Sequence, residues 1–90
     1  MQTSYNDPMM NKNEIEALFE KASFACHNLD ENALCDDLAT ELFNLADACE
    51  LPLDLTTELL DDMMIAVASD LPIEAHDSFQ ELRNLIRAAI

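Results

Sequence analysis

Ninety residues carry nineteen acids against four lysines and arginines, a formal net charge of -15. That balance repels nucleic acid and anionic membranes and attracts basic surfaces over long range. Half of the residues are hydrophobic and glycine is absent, where average usage would give about six. The chain is therefore no disordered acidic tail, and P-loop and dinucleotide folds, which need glycine where backbone approaches phosphate, are argued against.

The length suits one domain with a modest core. Alanine and leucine dominate and favour helix. Cys26, Cys35 and Cys49 are too few, and odd in number, for a disulfide framework; they read as small core residues in a reducing compartment. No basic stretch leads into an apolar run at the start, so no signal peptide is expected. No apolar run approaches membrane-spanning length. The expected location is the cytoplasm, of a cell or of an infected host cell.

In chain order, residues 1–11 are polar, carry Pro8 and read as a flexible N-terminal arm. Residues 12–90 form the predicted domain. Its first helix runs from about Lys12 to Asn28, with Asn13 and Glu16 spaced as a capping box. Ile15, Leu18, Phe19, Ala22, Ala25, Cys26 and Leu29 fall on one face at 100° per residue. Phe24 lies opposite, a candidate for a second contact.

The second helix is read over Asp30 to Glu50, with Asp30 as N-cap. Leu34, Cys35, Leu38, Ala39, Leu42, Leu45, Ala46 and Cys49 fill half of its circumference. Asp36, Asp37, Glu41 and Asp47 stand on the other half, uninterrupted by any basic residue. The third helix spans about Leu53 to Ser69. Its predicted stripe is Leu55, Leu59, Leu60, Met63, Met64, Ala66 and Val67. Glu58, Asp61 and Asp62 lie opposite, with Ile65 set among them. The fourth begins at Pro72 or Ser78 and ends near Ala89, on a stripe of Ala75, Phe79, Leu82, Leu85, Ile86, Ala89 and Ile90. His76, Arg83 and Arg87 share one flank and are expected to neutralise acids of the same chain.

Glu50-Leu51-Pro52-Leu53-Asp54 matches Asp70-Leu71-Pro72-Ile73-Glu74 in type, position by position. Proline suits the first position of a helix and an acid its first turn, so both segments read as punctuation between helices. The expected fold is all-α: a single-domain bundle of four short amphipathic helices, mainly antiparallel because the connections are short.

Site chemistry is sparse. The cysteines and histidines include no CxxC or HxxxH pair, and the adjacent acid pairs lack the alternation and glycine of a calcium loop, so no metal is expected. Catalytic residues and cofactors are likewise not expected; a loop-poor bundle offers little room for a substrate cleft. Acyl carrier proteins are also small, acidic and four-helical, but they need a serine at the start of the second helix, where this chain has Asp30-Glu31-Asn32.

The charge itself remains. Asp36, Asp37, Glu41, Asp47, Glu58, Asp61 and Asp62, about Ile65 and with Phe24 as a further apolar contact, are the candidate partner-binding residues. Carboxylates one helical turn apart stand at near-phosphate spacing and can engage Lys/Arg clusters built for nucleic acid. The expected function is that of a stoichiometric inhibitor or neutraliser, DNA-mimic-like. It would occupy a basic surface on a nuclease, a nucleic-acid-binding factor or a defence complex. The alternative is a helical adaptor, chaperone or homo-oligomerisation module that binds through apolar contacts, with a homodimer as one variant.

Overall fold

The computed structural model describes residues 11–28 and 34–90. Four helices follow in order: α1 (Lys12–Asn28), α2 (Asp36–Ala48), α3 (Leu53–Ala68) and α4 (Pro72–Ala89). The arm expected over 1–11 lies outside the described residues, apart from Asn11. So do Leu29 and the expected cap Asp30.

Asn11 is part of the first helix's start. Its side-chain oxygen accepts from the Glu14 N–H at 2.9 Å, and the Glu14 carboxylate accepts from the Asn11 N–H at 3.0 Å. This reciprocal capping box satisfies two otherwise orphaned donors. It sits two residues before the pair predicted from Asn13 and Glu16, because the same N-x-x-E spacing occurs twice in overlapping register. At the other end the Asn28 side chain donates to the Phe24 carbonyl at 2.8 Å.

The described helix α2 runs from Asp36 to Ala48, so Cys49 and Glu50 fall beyond its end and two described residues assigned to its start are not helical. Leu34 sits in a turn and is buried, whereas Cys35 is the extended N-cap and is exposed. Both fall in phase with the apolar stripe, which is why periodicity carries the helix through them. Asp36 and Asp37 then occupy the first turn, where the helix dipole favours negative charge.

Two corners join α2 to α3 and α3 to α4, and they are built alike. Glu50 and Asp70 adopt φ of 62° and 60°. The Leu51 N–H donates to Ala46 O at 3.0 Å and the Glu50 N–H to Asp47 O at 2.9 Å. The Leu71 N–H donates to Ala66 O at 2.8 Å and the Asp70 N–H to Val67 O at 3.1 Å. Each is a Schellman termination with an acid in the left-handed position that glycine usually fills. Proline follows two residues later, as N-cap of α3 and as first residue of α4, which stops the preceding helix and presets the next. The repeated segment is thus punctuation, and of the two starts weighed for α4 the earlier one is found.

One apolar core runs through all four helices. Phe19 of α1 meets Phe79 of α4 edge to face, centroids 6.1 Å apart, with Leu42 and Met63 fully buried from α2 and α3. The closest helix pairs are α3 with α4, α1 with α4, and α2 with α3. Consecutive helices are therefore close neighbours from α2 onward, while α1 packs chiefly on α4. Within α3 the buried set includes Thr56, and Leu55 is only half-buried. No helix among the described residues is long and apolar enough to cross a membrane.

Candidate functional site

Charge is segregated by helix pair. Lys12 and Lys21 lie on α1, and Arg83 and Arg87 on α4. These are all the lysines and arginines of the chain. His27 and His76 join them, one on each helix, with ring centroids 4.2 Å apart. Helices α2 and α3 hold no cation. Asp36, Asp37, Glu41 and Asp47 stand on the first and Asp54, Glu58, Asp61 and Asp62 on the second, all exposed.

The expected internal neutralisation is narrow. Arg87 pairs with Glu16 across α4 and α1 at 2.6 Å, and among the described residues this is the one ion pair. Arg83 instead lies over the Phe19 ring, 5.8 Å from its centroid, with Arg87 at 5.5 Å. Such cation–π contacts hold the guanidinium groups against α1, so neither reaches the acids of α2 and α3.

The exposed side of α3 is a crest of carboxylates. Asp54, Glu58, Asp61 and Asp62 share one concave stretch with Leu53 and Thr57. The i, i+4 steps from Asp54 to Glu58 to Asp62 rise about 6 Å each. A groove runs on either flank of this crest. Toward α2, Thr57, Leu60, Asp61 and Met64 face Asp36, Ala39, Thr40 and Phe43. Toward α4, Asp62, Ile65 and Ala66 face Leu71, Glu74, Asp77 and Ser78.

These grooves sort the residues singled out from the sequence. Asp36 and Asp61 come together across the α2–α3 groove, and Glu58 and Asp62 adjoin on the crest. Asp37 and Glu41 lie about 100–140° around α2 from Asp36, on its far flank. Asp47 returns to the Asp36 flank, three turns along. Ile65 is exposed, at 63 %. Of the acids expected about it, Asp62 lines the same groove, where the other acids are Glu74 and Asp77 of α4 and none comes from α2. Phe24 is exposed at 65 %, points away from the packed face of α1, and lines none of these three grooves.

Sequence periodicity read Glu74 only as an acid in the first turn of a helix, and gave no sign that it and Asp77 share a pocket with Ile65. The signal was there in part: Pro72 at N1 fixes where α4 starts, hence which of its residues meet the end of α3. Leu53, Leu71 and Ile73 are further exposed aliphatic side chains at the two corners.

The thiols are distributed by burial. Cys26 is fully buried, its Sγ 3.6 Å from the Ala75 carbonyl, and burial pushes its pKa up to about 11. Burial also raises Cys49. Cys35, read from periodicity as a core residue, is exposed. Among the described residues no three His, Cys, Asp or Glu side chains converge as metal ligands would. Comparison with known protein families, with curated proteins and with solved structures finds no match to this chain.

Proposed function

We propose that this is a small acidic protein-binding protein, a stoichiometric inhibitor or neutraliser that occupies a basic, nucleic-acid-binding surface of a partner protein. The supporting observation is the α3 crest with its flanking acids, which faces outward without a basic partner among the described residues. Carboxylates at helical-turn spacing present to a Lys/Arg cluster much the pattern that phosphates do. The apolar side chains between them, Ile65 above all, supply a desolvated anchor of the kind that concentrates binding energy. The partner classes that fit are a nuclease, a nucleic-acid-binding factor or a defence complex, met in the cytoplasm. This reading assigns the chain no catalysis and no cofactor.

The test is capture of partners from the native cell at low salt, followed by elution with rising salt. A specific partner should elute as salt screens the contact. It should be lost from a variant carrying Asp36→Asn, Glu58→Gln, Asp61→Asn and Asp62→Asn whose helical circular dichroism is unchanged. A partner retained through both treatments overturns the electrostatic reading and favours binding through apolar contacts. In that case sedimentation of the pure protein decides whether the partner is a second copy.

A further inference from the structure

We infer that the element this protein captures is a basic amphipathic α-helix, seated in the groove between α2 and α3. The inference rests on the acidic-face reading above and names what that face receives.

The groove has helical periodicity on both walls. From α2 it is lined at positions 36, 39, 40 and 43, and from α3 at 57, 60, 61 and 64. Both sets run i, i+3, i+4, i+7, the stripe that one helix offers to another. Each wall is about 10 Å long, two turns, at 1.5 Å per residue. Two facing stripes of this kind form a seat for the apolar face of a third helix.

The chemistry of the walls specifies that helix further. Phe43 and Met64 are half-buried against the core, and with Ala39 they leave an apolar floor. Methionine's flexible thioether accommodates side chains of differing shape. The rims are acidic from both sides: Asp36 on α2 and Asp61 on α3, with Glu58 and Asp54 behind on the crest and Asp47 further along α2. No lysine or arginine lies on either helix. A helix with large apolar residues on one face and Lys or Arg flanking it satisfies floor and rims together. A neutral or acidic helix meets the floor but is penalised by the rims.

Charge also rejects the two occupants nearest at hand. A second copy of this chain brings another net charge of -15, and residues 1–11 contain no lysine or arginine.

The experiment uses two synthetic peptides of about 18 residues, five turns, made of leucine and lysine in the same ratio. One carries its leucines at i, i+3, i+4, i+7 spacing; the other is scrambled so that they lie all round. Binding is read by fluorescence anisotropy and peptide helicity by circular dichroism. The amphipathic peptide should bind at least about tenfold more tightly than the scrambled one and gain helicity on binding. Thr40→Trp, which fills the groove from an exposed position, should weaken it about tenfold; Thr57→Trp is the second variant should the first not fold. Asp36→Asn with Asp61→Asn should weaken it more than the far-flank pair Asp37→Asn with Glu41→Gln. If both peptides bind alike, are salt-sensitive and ignore the tryptophans, the groove inference falls while the acidic face stands. If neither peptide binds, both readings fall.

Discussion

Glu50 and Asp70, twenty residues apart, hold the same left-handed backbone conformation, φ 62° and 60°, at the ends of α2 and α3. A side chain with a Cβ pays about 1–2 kcal/mol for that region. Glycine does not, although it gives the unfolded chain more freedom, worth about 0.5–1 kcal/mol. Glu50→Gly and Asp70→Gly should therefore each stabilise the fold by up to about 1 kcal/mol, or a rise in Tm of several degrees for a domain of this size. Glu50→Val, β-branched and worse suited to positive φ, should lower it. Thermal melts of the three variants give the signs directly.

Thr56 is 2 % exposed and its hydroxyl has no hydrogen-bond partner among the described residues. An unsatisfied buried hydroxyl costs about 1–3 kcal/mol. Thr56→Val keeps the shape and removes the orphan, so it should gain about 1 kcal/mol in a urea titration. An unchanged midpoint would mean that the hydroxyl is satisfied in solution.

Thr56 also shows where sequence reading stops. The six residues of α1 from Ile15 to Cys26 placed inside by periodicity are all buried, since every apolar residue on that stripe reinforces one direction. In α3 the apolar residues Leu55 and Met64 lie on the two margins of the stripe and both are only half-buried, so its centre is legible but its edges are not. The true core direction passes through Thr56 and leaves Leu55 half-exposed. Periodicity gives each helix its inward direction and nothing about its neighbours. That Asp36 and Asp61 line one groove, and that Glu74 and Asp77 adjoin Ile65, depends on which helices pack together. The start of α2 fails for a related reason: Leu34 and Cys35 are already in phase with the stripe before the hydrogen-bonded turns begin.

The three thiols should separate by reactivity. Cys35 stands exposed at the start of α2 and should be modified first by a thiol reagent. Cys26, pushed up to about 11 by burial from an ordinary value of 9.0, has about 100-fold less thiolate near neutrality and no access to solvent. It should react only as the protein opens. Because the folded thiol binds its proton more tightly than the unfolded one, its contribution to stability is complete below about pH 9. It is lost as pH rises through 11. Urea midpoints measured across that window should fall more steeply for the natural chain than for Cys26→Ala.

The crest of α3 makes function and stability pull in opposite directions. Glu58 faces Asp54 and Asp62 at i±4 and Asp61 at i+3, each a like-charge pair costing about 0.2–0.5 kcal/mol. Glu58→Gln relieves all three, so it should stabilise the fold by about 0.5–1 kcal/mol. Added salt should raise the Tm of the natural chain more than that of the variant, because screening relieves the same repulsion. On a surface that serves only to keep the chain dissolved, this gain comes without loss. On a surface that receives a basic partner, the same substitution removes a carboxylate from the contact and must weaken binding. Measuring Tm and partner affinity on Glu58→Gln together decides between the two: a rise in both Tm and retained affinity would leave the acids of α3 without a binding role.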